Sequence, residues 1–203
     1  MEFTLKRTAG IVAALLLVSA ATQVVYTTLY LSEAEVPRQF LWGLEGFLFT
    51  VLAAFAGSAM LQTKQAHLGW AAIGFAAVLN VVQVGVGLTL FGPFFEAAGN
   101  VEGLEPVAMG IVAYSFMVYN AAKVLLALAA VVFGLALKGA GAKALGGLTA
   151  LVGAVAFVAN ALSMGMGRDF LGEIPLAGGS GVLATVLLAV CLLKLPADSA
   201  AAD

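Results

Sequence analysis

The chain has 203 residues, 63% of them hydrophobic and only 10% charged, and its mean hydropathy is +1.08. Soluble domains carry about a quarter charged residues, so this composition excludes an ordinary soluble fold and points into lipid. A formal net charge of −2 without any cluster of Lys and Arg excludes a phosphate-tracking surface, and nucleic acid with it.

A membrane-crossing helix needs about 20 mostly apolar residues, and six stretches qualify: 9–31, 40–61, 68–92, 107–137, 145–166 and 174–195. The expectation is an all-α, six-helix transmembrane bundle forming a single domain over 1–195, followed by a short cytoplasmic tail over 196–203. A basic start, an apolar run and Val18-Ser19-Ala20 imitate a secretory signal. The run continues to Leu31, longer than a signal's apolar region, so an uncleaved first span is the reading adopted. The fourth stretch is over-long, and the expectation is a partly exposed start around Glu105-Pro106, with entry into lipid near Ala113.

Charge lies in the connections. Lys6, Arg7, Lys64, Lys138, Lys143 and Lys194 fall on one side; the other holds Arg38 and Arg168 among Glu33, Glu35, Glu96, Glu102, Glu105, Asp169 and Glu173. Because Lys and Arg are retained on the cytoplasmic side, this asymmetry predicts cytoplasmic termini and acidic loops facing outward in a bacterial-type inner membrane.

The third and fifth stretches share a pattern at an offset of 80 residues: Asn80-x-x-Gln83-x-Gly85-x-Gly87 against Asn160-x-x-Ser163-x-Gly165-x-Gly167. Two parallel copies of a helical hairpin would produce it, the second and third spans matching the fourth and fifth. Chance identities in a chain rich in Gly, Ala and Val would produce it too. The four glycines are expected to let helix backbones approach closely, and Gly-rich faces are candidates for oligomer contacts.

Polar residues collect at one depth. With a rise of 1.5 Å per residue, Gln23, Asn80, Gln83, Lys123 and Asn160 come to about 20–26 Å from the cytoplasmic ends, with Tyr26, Glu45, Tyr119 and Asn120 slightly further out. That is the outer half of a hydrocarbon core about 30 Å thick. Glu45 and Lys123 are the two charges inside spans; such residues usually face the bundle interior or a wet cavity. Opposite in sign and similar in depth, they are expected to lie close together, which lowers the cost of burying each.

Three functions fit this layer. The leading one is a periplasm-facing pocket for a small polar or lipid-like, amphipathic ligand, bounded by Glu45, Lys123, Asn80, Gln83, Asn120, Asn160, Gln23, Tyr26 and Tyr119, in a binding protein or small transporter. The second is a membrane enzyme or quinone-type redox partner using Glu45 and Lys123 for proton transfer. The third is an accessory subunit in which the layer is structural glue, since buried amides hydrogen-bond between helices and a lysine can snorkel to headgroups.

No cofactor or metal is expected. The one histidine, His67, is placed in a loop and cannot form a paired haem ligation; the one cysteine, Cys191, reads as a buried small side chain and forms no intrachain disulfide. Met164 and Met166 read as packing residues, and Gly178-Gly179-Ser180-Gly181 as a flexible entry or a close-packing site. Phe40, Trp42 and Trp70 are expected to anchor at the interfaces, and Phe91, Phe94 and Phe95 around Pro93 to form an outer amphipathic lip.

Overall fold

A computed structural model describes residues 4–32, 34, 36–63, 65–167, 170–171 and 176–195. Glu33, Glu35, Lys64, Arg168, Asp169, Glu173 and the tail over 196–203 lie outside the described residues.

The described chain is helical: α1 (Leu5–Leu31), α2 (Gln39–Gln62), α3 (His67–Val86), a single wide π turn (Gly87–Phe91), α4 (Gly92–Asn100), α5 (Glu105–Gly139), α6 (Lys143–Met166) and α7 (Leu176–Lys194). The α3, π-turn and α4 segments run on as one rod, so six helical rods are long and apolar enough to cross a membrane. This is the architecture of a multi-pass membrane protein. Each expected span corresponds to one rod. Below, the face bearing the N-terminus of α1 is called the terminal face, and the other the distal face.

The third span departs from expectation: the helix does not stop near Gly92 but continues to Asn100. A proline inside a helix collides with the carbonyl four residues back and donates no N–H. For Pro93 that carbonyl belongs to Thr89, inside the π turn, where the widened backbone accommodates the ring and the helix resumes. The rod of 34 residues is about 51 Å long and α5 about 52 Å, so these two rods are the longest of the six. Phe91 and Phe95 are stacked edge to face at 6.2 Å where the π turn gives way to α4. As expected, α5 opens at Glu105-Pro106, the proline sitting in the first turn, where its missing N–H costs no hydrogen bond.

Five rods form a ring in the order α1, α2, α3, α5, α7, closed by α7 on α1; α6 lies outside it, packed on α5 and α7. The α5–α6 pair approaches backbone to backbone. A Cβ on Gly134 would lie 2.6 Å from the Ala150 nitrogen, and one on Gly153 would lie 2.9 Å from the Ala127 oxygen. Gly146 sits against the α5 backbone at Gly134 and Lys138. Without a hydrophobic force between helices in lipid, such dispersion contact is a main source of association.

These are not the glycines singled out by pattern. Gly85 and Gly165 meet nothing within 4 Å, Gly87 lies under the Trp42 ring, and Gly167 ends α6 at φ 97°. None of the four mediates a backbone-to-backbone contact, because which glycine faces a neighbour depends on the rotation of its helix, and spacing along the chain does not specify that.

Three smaller expectations are corrected. Trp70 is buried, its ring 5.0 Å from that of Phe133 in an edge-to-face pair; it is a core residue and not an interfacial anchor. Trp42 packs inward between Tyr26 and Phe91, leaving Phe40 as the exposed aromatic at that end. His67 is the first residue of α3, its ring Nε2 on the Thr63 carbonyl. Cys191 is buried as expected, with its thiol 3.2 Å from the Thr149 hydroxyl.

Candidate functional site

The polar layer forms inside the ring, toward its distal half. Lys123 and Asn160 are wholly buried and Glu45 is 7% exposed. Neither charge snorkels to a headgroup or points into lipid. They do not, however, form the direct ion pair that their signs suggested. Each is held by a neutral side chain of α1. The Thr22 hydroxyl lies 2.7 Å from Glu45 Oε1, and Lys123 Nζ donates to Gln23 Oε1 at 2.5 Å. Consecutive residues of α1 thus hold the carboxylate of α2 and the ammonium of α5, while the two charges still interact electrostatically.

The Lys123 side chain reaches across to α1, which is not next to α5 in the ring. It can do so because of Gly181. A Cβ there would stand 3.2 Å from Lys123 Cδ and 3.5 Å from Asn160 Nδ2, so the glycine forms the notch in α7 over which the lysine stem lies. The Tyr119 ring, one turn away on α5, has the ammonium 5.3 Å from its centroid, within range for cation–π attraction.

The amides behave differently from one another. Asn80, Asn120 and Asn160 each donate Nδ2 to the carbonyl four residues back, those of Ala76, Phe116 and Ala156, at 2.8–2.9 Å. The same local bond at all three positions does not distinguish Asn80 and Asn160 from Asn120. Asn160 also reaches the Ala177 carbonyl of α7 at 3.0 Å. Its Oδ1, fully buried, has no partner, and neither does the buried Ser19 hydroxyl. Gln83 belongs to a separate contact, with its Nε2 3.2 Å from Ser115 Oγ.

Toward the distal face the site passes into aromatic side chains. Tyr26 lies one turn beyond Thr22 and Gln23, its ring 6.2 Å from that of Trp42, with the Arg38 guanidinium 5.4 Å from its centroid. Trp42 contacts Phe91 at 5.7 Å and sits three residues before Glu45 on α2. The structure thus brings Gln23, Glu45, Tyr119, Lys123 and Asn160 together, with Tyr26 just above, and places Gln83 on Ser115 where α3 meets α5. Thr22 and Ser19 are not recognisable from the sequence as site residues, and Gly181 reads there as part of a flexible or close-packing run without its partner, Lys123. Thr and Ser are common in apolar spans, bonding their own helix, and a glycine among 24 carries no mark of the side chain it admits.

No family model, no curated protein and no solved structure matches the chain.

Proposed function

We propose that this is a protein of a bacterial-type cytoplasmic membrane that binds a small polar or amphipathic ligand at the Glu45–Lys123 cluster from the periplasmic side. The excess of Lys and Arg in the terminal-face connections supports cytoplasmic termini, which makes the distal face periplasmic. The sequence pattern shared by Asn80 and Asn160 at an offset of 80 residues supports descent of the α2–α3 and α5–α6 hairpins from a duplicated ancestor.

The observation that carries the binding proposal is that two opposite charges are buried together without neutralising each other by contact, beside a buried Asn160 Oδ1 that lacks a donor. Structural glue would be expected to satisfy its own atoms, since nearly all buried polar groups in native proteins are paired. Hydrogen-bonding capacity left over at a charged position in the membrane is what a ligand uses. Native mass spectrometry of the protein released from mild detergent tests this. A co-purified small molecule is expected on the wild type and lost from Glu45→Gln and Lys123→Met; equal occupancy in all three rejects the site.

A second reading, proton exchange, is favoured by one detail. Thr22 Oγ1 lies 2.7 Å from Glu45 Oε1 and 2.9 Å from the Ser19 carbonyl, and a hydroxyl has one hydrogen to give. It serves an ionised Glu45 by donating to it, or a protonated Glu45 by accepting from it and donating to Ser19. Both states are accommodated by rotation of one O–H bond. The titratable groups facing this pair are Lys123 and Tyr119 on α5 and Tyr26 on α1. On this reading infrared difference spectra show a carboxylic-acid carbonyl band that appears on acidification and is missing from Glu45→Gln. A band that persists in the variant assigns the proton elsewhere.

A further inference from the structure

The surroundings of the Lys123 ammonium are those of a cation-binding site. It is met by a neutral amide oxygen, Gln23 Oε1, and by the face of the Tyr119 ring, with the Glu45 carboxyl within electrostatic range. A carbonyl oxygen, a π face and a nearby carboxylate are the recognition chemistry for ammonium groups. Lys123 itself is the only positive charge among them. The Tyr26 ring, already attracting Arg38, lies on the distal side of this site.

A second observation concerns where the lysine could go if it left. Its stem and the Asn160 amide flank the same point above Gly181, at 3.2 and 3.5 Å, and the nearby Asn160 Oδ1 is a buried acceptor with no donor. An ammonium displaced from Gln23 has a vacant acceptor close to its own stem, so displacement does not strand a bare charge in the interior. One side chain has two acceptors on opposite sides of its path, Gln23 on α1 and Asn160 on α6.

We infer that the ligand of this site is a small organic cation, a primary or quaternary ammonium, and that Lys123 is a tethered occupant of the same position, giving it up by turning to Asn160. This rests on the ligand-binding reading above and gives it a chemical class. An arriving cation replaces the lysine against Gln23 and Tyr119, and Glu45 balances the added charge.

Variants at position 123 test it with methylammonium and tetramethylammonium as probes, acetate as the anionic probe and sodium as the inorganic control, by thermal stabilisation and calorimetry at matched ionic strength. Lys123→Ala vacates the position, and is expected to bind methylammonium at least about tenfold more tightly than wild type. Lys123→Met keeps the volume filled and is expected not to bind it. Adding Glu45→Gln to Lys123→Ala is expected to abolish the gain. Should Lys123→Ala not fold alone, stabilisation of the wild type by either ammonium probe, lost in Glu45→Gln, supports the inference, and its absence overturns it.

Sodium acting as well as methylammonium overturns the organic class. Acetate binding the wild type and lost in Lys123→Met overturns the cationic class while leaving the site itself standing. If no probe binds any variant and no small molecule co-purifies with the wild type, both the inference and the binding proposal fall.

Discussion

Gly146→Leu and Gly153→Leu are each expected to destabilise the protein strongly, and together to remove most of the folded protein, while Gly147→Ala on the same helix does not destabilise it. Gly146 and Gly153 lie two turns apart on α6 and face the α5 backbone, where added atoms would meet main-chain groups and not the flexible end of a side chain. Overpacking a core costs typically about 1–3 kcal/mol because side chains can shift. Here no side chain can shift to relieve the clash, and separating the helices would also forfeit the dispersion contact along their length. A loss of about 3 kcal/mol or more is therefore expected from each, enough to remove most of the stability of a typical domain when combined. Gly147 has nothing within 4 Å of its Cβ position, and exchange of Gly for Ala within a helix is favourable by up to about 1 kcal/mol. Folded yield and thermal stability in mild detergent, measured side by side, decide the matter. A Gly146→Leu protein as stable as wild type would show that α5 and α6 do not meet as described.

The same pair of helices shows what could be read from the sequence and what could not. All six spans are visible as apolar runs, because length against bilayer thickness is a one-dimensional property. Depth was equally legible: a rise of about 1.5 Å per residue put Gln23, Lys123 and Asn160 at one level, and they meet there, joined through Lys123 and Gly181. Rotation about most helix axes was not legible. Most faces of these helices are apolar, since lipid outside and protein inside make the same demand. The exception is α6, whose buried face carries Gly146, Thr149, Gly153, Ala156, Asn160 and Ser163 at helical spacing, a stripe that the 80-residue offset passed over in favour of Gly165. The end of the third span was misplaced for another reason: Pro93 signals a stop locally, and the π turn that absorbs it has no local signature. At the site, charge suggested that Glu45 would seek Lys123, whereas their hydrogen-bond partners are Thr22 and Gln23, two neutral consecutive residues of α1. Pairing by sign ignores the neutral groups within reach.

That arrangement gives the second large effect, in a double-mutant cycle between Glu45→Gln and Lys123→Met. Each substitution leaves the other charge in the interior with its long-range counterpart gone; Lys123→Met also leaves Gln23 Oε1 without its donor, whereas Glu45→Gln keeps an amide oxygen for the Thr22 hydroxyl. Removing one member of a buried charge system is far more damaging than removing both, because the cost is that of the charge left behind. We expect each single variant to lose about 2–3 kcal/mol and the double variant to lose less than their sum by about 1–3 kcal/mol, the range found for groups in one network. The comparison variant is Thr22→Val, which removes the hydroxyl on Glu45 and keeps both charges. Its cost is expected to be about 1–3 kcal/mol, that of one unsatisfied buried group, and additive with Lys123→Met, since Thr22 carries no charge for the lysine to balance. Reversible unfolding in micelles, followed by tryptophan emission and checked against loss of helical signal, supplies all the values. Strict additivity of Glu45→Gln with Lys123→Met would mean that the two groups act independently, each satisfied by α1 alone. The cation-exchange inference would then lose Glu45 as the charge that balances an incoming ammonium, because that role requires the carboxylate to register what occupies the position beside Gln23.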